Sequence, residues 1–467
     1  VQKRTLISSV ARYLIILLVI LVTIAGELAL LKKSGRIELI VGLNAALGSL
    51  LLFFLRNGKF QNVMLLLYFA PLLLLSNKIH YQLKYEIVFA LPLFILALYT
   101  FYIYLLNPIA PGKDRSLTKV LVLFMLYFLG IGIYGKLRGF QTVYVFYESY
   151  HVLLYISIMI ISFNMRERND YYFIFYGLLA IFMAISLGYI ALGYIGSGKR
   201  FVTFQSGFLP LTGGVIFSLI LAARGNLKRI IYFAMLVTII LAMFSTLTRT
   251  LWVTTIITLA SVYVIYLIAE KKFTITKKIL VFVYVILTVV YTAHVIRNLN
   301  PYNRIKDNTK TLEQRVESIQ NPTEDHSFLM RVELGWYAIE KFIRHPIFGW
   351  GLGDYLRFKY LGDPRLKNIY LDNSWLYFLW KGGIIGFLLF ALVFYKSIKL
   401  GIIIVRETDS ARTRALTIGI TGGLIGLAAL GFLSPLLIKY RTNVLLAFIW
   451  AYFEFEYNNL RIANDLR

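Results

Sequence analysis

Several short stretches carry residue types that can bind an anion or move a proton. Ser245-Thr246-Leu247-Thr248-Arg249 places an arginine between two long apolar runs. An arginine at mid-membrane costs about 2.5–3.5 kcal/mol, so it either faces a polar cavity and binds an anion, or marks a hairpin and snorkels to the interface. Arg331 opens a second amphipathic stretch. If it stands at a helix N-terminus, where the partial positive charge of the backbone adds to its own, the pair makes a phosphate site; the alternative is a solvated loop charge. Lys199-Arg200-Phe201-Val202-Thr203-Phe204-Gln205-Ser206 offers Arg200 and Gln205 to the same kind of cavity, or an interfacial anchor. Asp372-Asn373 supplies a carboxylate that can act as general base, beside an asparagine able to cap the following helix. His326 and His345 are further candidate bases, or surface histidines.

Other chemistries lack their residues. The sequence has no cysteine, which removes disulfides, thiol catalysis and cysteine-bound metals. His80, His151 and His294 lie near the ends of apolar runs and share no metal-ligand spacing. There is no phosphate-binding glycine loop, dinucleotide fingerprint, Ser-His-Asp arrangement or Asp-rich nucleotide-sugar motif.

The elements that must position these residues are membrane helices. The 467-residue chain is 59% hydrophobic and only 15% charged, against about 45–50% apolar in soluble domains, and its mean hydropathy is +0.71. A span needs about 20 apolar residues. Candidate runs lie near 6–30, 37–55, 60–76, 86–106, 118–135, 149–164, 171–195, 206–223, 229–247, 250–269, 278–296, 373–397, 414–434 and 442–457. The expectation is an all-α polytopic membrane protein of about 12–14 transmembrane helices. The run from 229 to 269 is twice a span, and folds back at Arg249 as two helices. Lys3, Arg4 and Arg12 flank a first run with no small-residue cleavage site after it, so that run is expected to remain as a span.

The formal charge of +26 does not mark a nucleic-acid surface, because lysine and arginine collect at span ends. One set of loops carries Arg56 and Lys59; Lys113, Arg115 and Lys119; Arg166 and Arg168; Arg224, Lys228 and Arg229; Lys271, Lys272, Lys277 and Lys278; and Lys396, Lys399, Arg406, Arg412 and Arg414. The opposite loops are less basic, although Lys32, Lys33 and Arg36 dilute the contrast. The positive-inside rule then sets both termini in the cytoplasm and residues 297–372 outside it, dividing the chain into membrane helices 1–296, an external loop domain 297–372 and membrane helices 373–467. Within the loop, Val332, Trp336, Ile339 and Ile343 share one helical face. Pro346 ends that helix, which is expected to lie on the membrane surface with its apolar side down.

Taken in order, Arg331 to Gly351 with its Pro-x-x-Gly-x-Gly turn, Asp372-Asn373-Ser374-Trp375-Leu376, and Gly382-Gly383-Ile384-Ile385-Gly386 resemble the core signature of the bacterial O-antigen ligase/polymerase superfamily. Ser245–Arg249 resembles its upstream Ser/Arg motif, and 199–206 is similar to a weaker Arg-x-x-Gly-x-Phe segment; the likeness covers roughly residues 195–395. The resemblance implies a membrane-embedded glycosyltransferase fold of the C type. Its donor would be an undecaprenyl-pyrophosphate-linked glycan, with neither metal nor other cofactor, at the outer face of the bacterial cytoplasmic membrane. Arg249 and Arg331, joined by Arg200, would hold the pyrophosphate; Gln205, Ser245, His326, His345 and Asn373 are accessory candidates. The acceptor would be lipid A–core in a ligase, narrowly favoured, or a second lipid-linked glycan in a polymerase. The family's base is usually the His of a His-Asn pair, and here Asp372 holds that position. A reading from another class is a polysaccharide flippase or transporter, which would show two similar halves; the polar features instead cluster between 199 and 373 on one side.

Overall fold

The computed structural model describes residues 116–153, 155, 167–195, 207–246, 248–269, 326–357, 367–368 and 371–465. The spans expected before residue 107 and at 278–296 lie outside these residues, as do Arg200 and Gln205. The described chain is almost wholly helical: α1 Ser116–Leu137, α2 Thr142–Leu153, α3 Arg168–Ile195, α4 Leu209–Ala222, α5 Asn226–Ser245, α6 Arg249–Ala269, α7 His326–Arg344, α8 Ser374–Glu407, α9 Ala411–Gly431 and α10 Tyr440–Asp465. Two-residue strands, Leu356–Arg357 and Lys367–Asn368, pair antiparallel between α7 and α8, and a 3₁₀ turn at Pro435–Ile438 precedes α10. Among the described residues six helices are long and apolar enough to cross a membrane: Ser116–Leu137, Arg168–Ile190, Asn226–Ser245, Thr250–Ala269, Ser374–Glu407 and Ala411–Gly431. The protein is an all-α polytopic membrane protein, as its hydropathy predicts.

Several neighbouring pairs run antiparallel. Trp375 Nε1, at the start of α8, donates to Ala428 O near the end of α9 at 2.9 Å. Thr255 of α6 donates to Met243 Sδ of α5 across the expected hairpin, where α5 ends at Ser245 and α6 begins at Arg249. Lys396 near the end of α8 reaches Ser116 O at the start of α1. α9 is the centre of the bundle. Its Gly419, Gly422, Gly423 and Gly426 lie against α4 and α6, since without a hydrophobic drive between helices in lipid, small residues allow the close approach that packing requires.

One end of the bundle gathers the ends of α1 and α9 and the starts of α2, α6 and α8, with α7 and the turn after it. At the opposite end, the Arg168 guanidinium binds the buried Glu456 carboxylate through two 2.8 Å hydrogen bonds, and Tyr172 meets Thr413 at 2.6 Å.

α8 is broken at Gly382-Gly383, and the turn after α7 threads into the break. Gly383 has φ 63° and Gly349 φ 71°. A Cβ on Gly349 would sit 2.5 Å from Lys381 O, and one on Gly383 would collide with Ile347 O. The kink takes backbone groups out of the α8 ladder, and the turn supplies their partners. Ile384 N donates to Pro346 O at 2.8 Å, while Trp350 N and Gly351 N donate to Trp380 O and Lys381 O at 3.0 Å. Tyr127 of α1 completes the set with a 2.5 Å bond to Gly382 O. Irregular backbone at membrane depth persists where protein satisfies it in this way.

Candidate functional site

α7 runs from His326 to Arg344 and ends two residues before Pro346, as expected. Arg331 is therefore not at its N-terminus. It is the sixth helical residue, past the four unpaired backbone N–H groups of the first turn, so the helix-terminus part of the phosphate argument does not apply to it. The helix packs through Leu334, Gly335 and Ala338. Val332, Trp336 and Ile343, three of the four residues expected on one apolar face, are exposed.

Arg331 meets Asp372 across 41 residues of sequence. Its Nε donates to Asp372 Oδ2 at 3.2 Å, with both side chains about one-third exposed. The pairing uses one edge of the guanidinium. Both Nη groups and Asp372 Oδ1 have no partner among the described residues. The sequence placed these two residues in different motifs with different roles; the structure makes them one unit. Asn373 caps α8, its Oδ1 accepting from Leu376 N at 3.0 Å. Ser374 fixes this corner by donating to Ser434 O and accepting from Leu437 N.

Arg249 opens α6 at the same end of the bundle. The hydroxyls around it are used locally. Ser245 donates to Leu241 O at 2.9 Å, Thr246 to Met243 O and Thr248 to Thr246 O. His326 opens α7. His345 lies at the other end of that helix, roughly 20 Å from Arg331 by helical rise. Its Nε2 faces Arg138 Nη2 at 3.4 Å, and its ring stands edge-on to Trp350. Arginine cannot accept a hydrogen bond, so the imidazole turns a lone pair to it. Burial first, then the Arg138 charge, hold the imidazole below its ordinary pKa.

Sequence reasoning did not find a buried charge network beneath the turn. Lys381 of α8 and Glu148 of α2 are both 0% exposed and pair at 2.7 Å. Tyr377 OH donates to Glu148 Oε1 at 2.9 Å, and Gly353 N donates to Oε2. Lys381 also donates to Asp354 O. The Asp354 carboxylate receives Lys341 Nζ at 2.6 and 2.8 Å and Trp380 Nε1 at 2.8 Å. Cations and indoles alternate through the cluster: Arg138 and Lys341 lie 4.5 and 4.7 Å from the Trp350 centroid, and Lys381 lies 4.1 Å from that of Trp380. The signal was present in the sequence, since a lysine inside an expected span is paired or functional by default. This network clamps the Gly-rich turn to α2 and α8.

The structure is thus a polytopic helical bundle with an amphipathic helix and a clamped turn folded over one end, and an Arg–Asp pair close to them. Residues 234–391 match the O-antigen ligase family. The matched stretch runs from α5 through the α8 kink and holds Arg249, Arg331, Asp372 and Lys381. The match spans about a third of the chain and supports its likeness to the O-antigen ligase/polymerase superfamily, whose type of activity is glycosyl transfer. No curated protein matches the chain.

Proposed function

We propose that the protein moves an undecaprenyl-pyrophosphate-linked polysaccharide onto an acceptor hydroxyl, with inversion and without a metal, at the outer face of the bacterial cytoplasmic membrane. The acceptor is lipid A–core. The observation that carries this reading is the Arg331–Asp372 pair inside the matched stretch. An Arg whose Nη edge remains available can bind phosphate oxygens bidentately, and Asp372 Oδ1 beside it can take the acceptor proton. Arg249, on the same end of the bundle, is the second phosphate ligand. Leaving group and nucleophile are thus held next to each other, which is the positioning a displacement needs.

Purified protein incubated with lipid-pyrophosphate glycan and lipid A–core is expected to yield glycosylated lipid A–core. Longer lipid-linked chains formed without lipid A–core would instead identify a polymerase. Asp372→Asn is expected to slow transfer by about 10²–10⁴, the usual worth of a general base, while donor binding survives on the arginines. Asp372→His should keep part of the rate. If Asp372→Asn stays near wild type while His345→Ala or His326→Ala is inactive, the base lies elsewhere and Asp372 only orients Arg331.

The sidedness is tested by labelling. Glu340→Cys on α7 is expected to react with an impermeant maleimide in outer-membrane-permeabilised cells, and Asp409→Cys between α8 and α9 only after lysis. The reverse pattern would invert the assignment.

A further inference from the structure

Three cations gather at the turn, the half-buried Arg138 and Lys341 and the buried Lys381, and face two carboxylates, Asp354 and Glu148. The lysines take both carboxylates, so the surplus charge rests on Arg138 at the end of α1. That guanidinium is held in place without being neutralised. It lies over Trp350 and within 5.6 and 5.8 Å of the Tyr134 and Phe140 ring centroids. Its two polar contacts, to Trp350 O and His345 Nε2, are both 3.4 Å long. A guanidinium has five N–H donors, so most of its capacity is unspent. Lys136, two residues before Arg138, and Arg344, next to the His345 that Arg138 contacts, are exposed at the ends of α1 and α7, and none of the three has a carboxylate partner among the described residues. Ile133, Leu137, Ile343, Ile347 and Phe348, on the same two helix ends and the turn, are large apolar side chains left exposed.

We propose that Arg138, Lys136 and Arg344 bind the phosphate of an anionic phospholipid headgroup, whose acyl chains lie against that apolar rim. The surface commits to a lipid rather than a soluble phosphate because the positive charge stands at the end of a membrane-crossing helix, bordered by side chains that water does not favour. This site is distinct from the Arg331–Asp372 pair, which lies at the other end of α7.

The test is binding of phosphatidylglycerol to the purified full chain in detergent, followed by native mass spectrometry and by the lipid-dependent rise in melting temperature. Phosphatidylglycerol is expected to bind and stabilise more than phosphatidylcholine, and inorganic phosphate is expected to do neither. Binding should weaken by roughly fivefold for each positive charge removed near the membrane surface. The exposed pair Lys136→Gln/Arg344→Gln keeps the test usable if Arg138→Gln fails to fold. Arg331→Ala should leave lipid binding unchanged. Equal binding of both lipids, unaltered affinity in the double variant, or stabilisation by inorganic phosphate alone would each overturn the proposal.

Discussion

Arg331→Ala and Arg249→Ala are each expected to lower the rate of glycan transfer by about 10²–10³, or 2.7–4 kcal/mol of lost stabilisation of the departing pyrophosphate. The motive for Arg331 is its unspent Nη edge beside Asp372. Lysine should restore little at this position, because one ammonium cannot keep the Asp372 contact and also grip two phosphate oxygens in a plane. The ion pair itself contributes little to the fold, since both partners are about one-third exposed and exposed pairs are typically worth about 0.2–1 kcal/mol. Melting temperatures should therefore stay near wild type while initial rates collapse. A double variant carrying Arg331→Ala and Asp372→Asn should lose less than the product of the single losses, as expected of groups acting in one step. Near-normal transfer by either alanine variant would remove that arginine from the site.

The second large effect concerns stability. Glu148→Gln or Lys381→Met leaves its former partner charged, unpaired and fully enclosed, and is expected to cost about 3–5 kcal/mol. The double variant Glu148→Gln/Lys381→Met should recover much of this, because replacing both members of a buried pair is often neutral. The readouts are the denaturation midpoint in detergent and the protease sensitivity of the turn at 345–356, which the pair holds through Gly353 N and Asp354 O. Single variants as stable as wild type would show that the cluster is solvated and clamps nothing.

Much of this architecture is legible in the sequence, for identifiable reasons. The hairpin near Arg249 and the start of α8 at Ser374 were readable because an apolar run of double length must fold back, and because Asp-Asn-Ser before an apolar run is a capping pattern. The amphipathic period of α7 marked its apolar stripe, but the residues that dock the helix, Leu334, Gly335 and Ala338, include two too small to give a hydropathy signal. The Arg331–Asp372 contact joins residues 41 apart, and no periodicity reports such a distance. Lys381 was visible as a charge inside a span, yet its partner Glu148 stood at the edge of one, in a short helix that begins at Thr142 rather than at 149. The α8 kink escaped for a similar reason. Gly382-Gly383 reads as a family motif, whereas the need for it arises from the backbone of Ile347 and Gly349 passing alongside.

The separation of that buried pair has a consequence for biogenesis. Glu148 leaves the ribosome 233 residues ahead of Lys381, a delay of roughly 10–50 s at bacterial or eukaryotic elongation rates of about 5–20 residues per second. During that interval the nascent chain carries a carboxylate destined for the bundle interior with no ammonium to meet it. The contact between α2 and α8 through this pair forms only once α8 has been made. Chains arrested before residue 381 would keep this acid in an apolar setting without its buried partner.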